Sequence, residues 1–183
     1  MRNRIVQSVF LVGALFVASA IPAAAQTASV GVTFLGDGGG TGVAADYANH
    51  FRDMNSDRSL DWLVDLSFNH KSDSVLGFDA SLNTLIAQVG IRVAGKAGDK
   101  ATWHVQGAVG FAHRGAGGDL SDVCEILGAN CSDNTGVFTP AGALTYWFSS
   151  NKGVKGQLGI PVFFSGGGST TRFDISFVWK MGK

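Results

Sequence analysis

The sequence predicts an all-β protein: an eight-stranded antiparallel up-and-down transmembrane β-barrel that follows a cleaved signal peptide. Three observations carry this: an export signal at the N-terminus, eight segments of two-residue periodicity, and aromatic residues sorted to opposite ends of those segments.

The export signal comes first. Arg2 and Arg4 are followed by an apolar run from Val9 to Ala20 and by Ala23-Ala24-Ala25 before Gln26, the three regions of a secretory signal peptide. Gln7 and Ser8 shorten the apolar run below the ~20 residues that a membrane-spanning helix needs. Cleavage after Ala25 leaves 158 of the 183 residues. Residues 1-25 are therefore read as signal peptide and residues 26-183 as a single barrel domain.

Composition agrees with an all-β domain. Glu125 is the one glutamate and glycine is abundant, with 26 residues, so helix formers are scarce. No apolar run after residue 26 is long enough for a helical span, and any crossing must be made by strands. Without Arg2 and Arg4, twelve basic residues face fourteen acidic ones, with no basic patch that would suggest nucleic acid.

The alternating segments lie near residues 28 to 36, 42 to 52, 60 to 70, 83 to 95, 101 to 113, 136 to 148, 154 to 165 and 170 to 181. Each is about as long as the ~9 to 11 residues of a tilted transmembrane strand. In the third, Leu60, Trp62, Val64, Leu66 and Phe68 form an oily face, and Asp61, Leu63, Asp65, Ser67 and Asn69 a wet one. The last sets Phe173, Ile175, Phe177 and Trp179 against Arg172, Asp174, Ser176 and Lys180. Connections at 53 to 59, 96 to 100 and 149 to 153 are short. Those at 36 to 41, 70 to 82, 114 to 135 and 166 to 169 are generally longer, the asymmetry of a barrel with periplasmic turns and external loops.

Trp62, Trp103 and Trp179 fall at the short-turn end and are expected to form the periplasmic aromatic girdle, while Phe34, Phe68, Phe111, Phe138, Phe163, Phe164 and Phe173 fall near the other rim. Trp147 also lies at the turn end, but its parity places it inward. The chain thus resembles the small outer-membrane β-barrel superfamily, the eight-stranded OmpA/OmpX type, over residues 28 to 181. The closing segment Thr171-Arg172-Phe173-Asp174-Ile175-Ser176-Phe177-Val178-Trp179 resembles the C-terminal strand read by the barrel-assembly machinery. It departs from the family in lacking a terminal aromatic, since Lys180-Met181-Gly182-Lys183 follows. The resemblance implies residence in the bacterial cell outer membrane, contact with its lipids and lipopolysaccharide, and a monomer.

Cys124 and Cys131, with six residues between them, lie in the longest connection, and in an exported chain a disulfide between them is expected. No cofactor or metal set is evident. Arg52, Asp61 and Arg92 end or begin three consecutive strands with inward parity and are expected to form an interior polar cluster that plugs the turn end. His50 and His104 share that end. Pro140 and Pro161 sit on neighbouring strands, where a proline removes a ladder donor. They are read as rim bulges or as a lateral opening, the latter resembling the lipid A palmitoyltransferase barrel. His70-Lys71-Ser72 resembles part of the histidine, serine and glutamate triad of the outer-membrane lipid A deacylases, with Glu125 on a different loop.

The expected function is therefore a non-enzymatic outer-membrane barrel with a structural or surface-interaction role that is not a general pore. Eight strands leave room only for side chains. The alternatives are a lipid A-modifying enzyme and a secreted lipocalin-like barrel with its apolar face turned inward.

Overall fold

In a computed structural model, residues 26–75, 78–119, 126, 131–165 and 168–181 are described. The signal-peptide expectation for residues 1–25 lies outside them. The strands are β1 (Gln26–Leu35), β2 (Gly40–Asn55), β3 (Arg58–Val75), β4 (Phe78–Lys96), β5 (Ala101–Gly118), β6 (Ser132–Trp147), β7 (Lys152–Gly159), β8 (Val162–Phe163) and β9 (Arg172–Met181). All neighbours are antiparallel, in the order β5-β4-β3-β2-β1-β9-β7-β6, and pairing of β5 with β6 closes the ring.

β8 is the continuation of β7 beyond a break at Ile160-Pro161, so the wall has eight strands. Both prolines contribute to that break. Ile160 N–H donates to the Pro140 carbonyl at 3.0 Å, and Thr170 N–H donates to the Pro161 carbonyl at 3.0 Å. Neither bond can be returned, because proline has no N–H. Pro140 faces outward and is exposed, whereas Pro161 is buried in the lumen.

The alternation read from the sequence is the alternation of the wall. Val30, Val32, Val89, Ile91, Val105, Val109, Leu144 and Leu158 are exposed on the outside, while Thr33, Ser67, Asn69, Gln88 and Asp174 are buried inside. This is the reverse of a soluble barrel and excludes the lipocalin-like arrangement: an apolar exterior band is stable only against lipid.

β2, β3 and β4 outrun their periodic segments at both ends, and β5 and β6 do so at the loop end. β3 and β4 stay paired out to Val75 and Phe78, so the long connection expected over 70 to 82 is mostly ladder. β5 and β6 likewise remain paired to Gly115 and Ser132. Alternation in hydropathy stops where the lipid stops, but backbone hydrogen bonding need not. At the opposite end β2 and β3 meet in a tight turn at Ser56 and Asp57, preceded by two register shifts, between His50 and Arg52 and between Asp53 and Asn55.

Trp62, Trp103 and Trp179 all stand at this turn end with outward parity. Trp62 tilts against Tyr47 with ring centroids 5.5 Å apart, and Trp179 against Phe177 at 6.0 Å. The Trp103 ring lies flat over Gly95, where a Cβ would come within 2.7 Å of it. At the other rim, Phe34 stacks on Phe173 at 6.3 Å.

Closure satisfies the backbone around the ring and makes such barrels resist detergent. Unboiled folded protein is expected to migrate apart from boiled protein on a denaturing gel. A single, temperature-independent band would contradict a closed ring.

Candidate functional site

The lumen is filled by three tiers of charged side chains held at consecutive heights by the strand register. At the turn end, Asp61 on β3 and Arg92 on β4 are direct cross-strand partners. Arg92 Nε donates to Asp61 Oδ2 at 2.8 Å, and Arg92 Nη2 reaches across the lumen to Thr27 Oγ1 on β1 at 2.8 Å. His50 Nδ1 approaches Asp61 Oδ1 at 3.5 Å, and its Nε2 stands 3.5 Å from Asp53.

Arg52 does not join this group. The bulge after His50 inserts Phe51 into β2, so that Arg52 pairs with outward-facing Leu60 and is exposed. One extra residue exchanges the faces of everything beyond it. His50, paired with Asp61, takes the place expected for Arg52.

The middle tier joins Lys155 on β7 to Asp46 on β2. Lys155 Nζ donates to the Asp46 carboxylate and to Ser29 Oγ at 3.0 Å, and the Ser29 hydroxyl also donates to Asp46. The third tier lies nearer the loop end. Arg172 grips Asp65 with two parallel bonds, Nη1 to Oδ1 at 2.6 Å and Nη2 to Oδ2 at 3.1 Å, and donates from Nε to Asp174 Oδ1 at 3.0 Å. Gln157 Nε2 donates to the other Asp174 oxygen at 3.2 Å. Arg172 is only 2 % exposed, and this forked geometry is the strongest form of ion pair a guanidinium makes.

Above these tiers an apolar cluster of Ile86, Ala112, Val137 and Phe163 narrows the lumen, with the Arg114 guanidinium 3.7 Å from the centre of the Phe163 ring. Below them a vestibule of about 410 Å³ opens at the turn end, lined among others by His50, Asp61, Arg92, His104, Trp147 and Lys155. Trp147 has the inward orientation its parity requires: its Nε1 donates to Thr102 Oγ1 at 3.0 Å, and Lys180 Nζ sits 4.2 Å over the ring.

Parity alone marks Asp46, Asp65, Lys155, Arg172 and Asp174 as inward. Their partners could not be read from the sequence, because Arg172 and Asp65 lie 107 positions apart and meet only once the ring closes. The remaining candidates are scattered. His70 lies within β3 on the outer face with Nδ1 2.8 Å from Asn83 Oδ1, and Glu125 lies outside the described residues. So does Cys124, and with it the expected bond to Cys131. No free cysteine occurs among the described residues.

No family model and no curated protein matches the chain. Solved structures do match. The attachment invasion locus protein Ail of Yersinia pestis superposes with a TM-score of 0.59 at 11% identity, covering 87% of this chain and 100% of that one. Its complex with the heparin analogue sucrose octasulfate gives 0.58 at 11%, covering 86% and 99%. The N-terminal barrel domain of Pseudomonas aeruginosa OprF gives 0.50 at 10%, again covering 86% and 99%. The chain has the fold of the small eight-stranded outer-membrane barrels. The match spans nearly the whole of each of those chains.

Proposed function

We propose that the protein resides in the bacterial outer membrane as a monomeric barrel with a structural or surface-interaction role, and that it neither conducts as a general pore nor catalyses a reaction. The single observation behind this reading is the lumen: three tiers of mutually paired, largely buried ions cross it where a pore would need water. An eight-stranded ring has little room for anything else. Lipopolysaccharide and outer-membrane lipids are the partners of the apolar exterior, the barrel-assembly machinery is the partner of β9, and nucleic acid is not a partner. The lipid A-modifying alternative would need an acid beside His70, and the partner there is the amide of Asn83.

Planar-bilayer recording tests the plug. Wild-type protein is expected to show little or no steady conductance. Asp61→Ala removes the carboxylate shared by Arg92 and His50 and leaves Arg92 without its ionic partner. That should raise the leak and destabilise the barrel by about 3 kcal/mol. A large, stable wild-type conductance would overturn the non-pore reading.

A further inference from the structure

Beyond the apolar belt the wall is uneven in height. β3, β4, β5 and β6 run on toward the loop end past the rows where β1 stops at Leu35 and β9 starts at Arg172. Their outward side chains change character within one step. Phe68, Leu85 and Phe111 close the belt on β3, β4 and β5, and the next outward residues on those strands are His70, Asn83 and His113. Asn134 on β6 is the cross-strand partner of His113.

Two like pairs result. His70 Nδ1 lies 2.8 Å from Asn83 Oδ1, and His113 Nδ1 lies 2.8 Å from Asn134 Oδ1. An amide oxygen only accepts, so each ring donates through Nδ1 and keeps Nε2 for another contact.

Between the pairs β5 presents no outward side chain at two successive outward positions, Gly115 and Gly117. A Cβ added at Gly115 would lie 3.6 Å from His113 Nε2. One added at Gly117 would lie 2.7 Å from Ser81 Oγ and 4.0 Å from Asn83 Nδ2. At Gly117 the Ser81 hydroxyl already takes the space a side chain would fill, so the open floor is the backbone of Gly115, bordered by the His113 imidazole with the Ser81 hydroxyl and the Asn83 amide beyond it. Glycine within a strand gives up packing and permits close approach by another molecule.

The charges around this slot restrict what fits it. Asp73 and Asp133 have inward parity, and Asp79 stands at the tip of the wall, where its N–H donates to Asp119 Oδ2 at 2.9 Å. The slot itself is lined by neutral hydrogen-bonding groups, with the Asp79 carboxylate, the next outward residue on β4 beyond Ser81, at its upper edge, a set suited to the hydroxyl and amide substituents of a sugar ring more than to a bare phosphate.

We infer that this glycine-floored slot seats the sugar headgroup of an outer-leaflet glycolipid. Its location selects the source. The slot faces outward and is continuous with the lipid-facing belt, so an occupant with acyl chains can cover Phe68, Leu85 and Phe111 while its sugars lie one step higher. A free saccharide would use only the polar half. The inference rests on the outer-membrane reading above and gives that lipid contact a defined site.

Native mass spectrometry of the folded full chain, released from nanodiscs containing lipopolysaccharide and phosphatidylglycerol, tests it. Wild-type protein is expected to retain lipopolysaccharide in preference to phosphatidylglycerol. Gly115→Leu, which fills the slot, and His113→Ala, which removes one wall, should each weaken that retention by about tenfold and leave phosphatidylglycerol binding unchanged. Should Gly115→Leu fail to fold, His113→Ala decides alone. Protein that inserts and shows the folded gel band but has no preference for lipopolysaccharide, or variants that retain it as wild type does, would overturn the slot and leave the outer-membrane reading standing. Protein that fails to enter lipid at all would overturn both.

Discussion

Arg172→Ala is expected to destabilise the barrel by about 3 to 5 kcal/mol, because it strands two buried carboxylates that share one guanidinium. Asp65 and Asp174 are each 2 % exposed and both take hydrogen bonds from Arg172. Gln157 would remain on Asp174, but Asp65 would lose both bonds of its fork. Arg172→Lys should recover only part of the loss, since an ammonium cannot reproduce two parallel bonds to one carboxylate while reaching a second. Replacing the three charges together by neutral residues of similar volume should cost far less than Arg172→Ala, because the loss comes from unpaired charge and not from missing attraction. Urea unfolding from lipid vesicles, followed by tryptophan fluorescence, measures each difference. A change under about 1 kcal/mol for Arg172→Ala would mean that water reaches the tier and solvates the acids.

Leu66→Arg is expected to impair insertion at a cost of about 2 to 4 kcal/mol if the site lies near the bilayer midplane. Leu66 faces outward between Val64 and Phe68, within the apolar part of β3. Its neighbour Ser67 is fully buried on the lumen side and meets no lipid. Ser67→Ala should therefore change insertion far less, at a cost within about 1 kcal/mol. Refolding yield into vesicles of defined thickness separates the two, and equal tolerance at both positions would contradict the assigned faces.

These expectations draw on different depths of information. Position 66 could be assigned from the sequence, since a two-residue period distinguishes lipid face from lumen face without knowledge of neighbours. The same reasoning placed Trp62, Trp103 and Trp179 outward at the turn end and Trp147 inward. It failed at Arg52 because counting parity assumes an unbroken strand, and a single bulge at Phe51 reverses the count. It also failed above Phe68 and Phe111, where polar strands continue outside the lipid without hydrophobic alternation to reveal them.

What the sequence by itself determined was the fold class, the number of wall strands, the face of most residues and the end at which the tryptophans gather. These follow from local periodicity and from amphipathic rings seeking an interface. The sequence also set Asp61 with Arg92, but only the tertiary structure decided how the other ions meet. Asp46 takes Lys155, Asp61 takes His50 besides Arg92, and Arg172 spans Asp65 and Asp174. Those choices depend on the register of each strand pair and on closure of the ring, which bring side chains from distant parts of the chain to one height. The slot over Gly115 belongs to the same class: its floor is local, but its walls come from β4 and from a histidine aligned by β6.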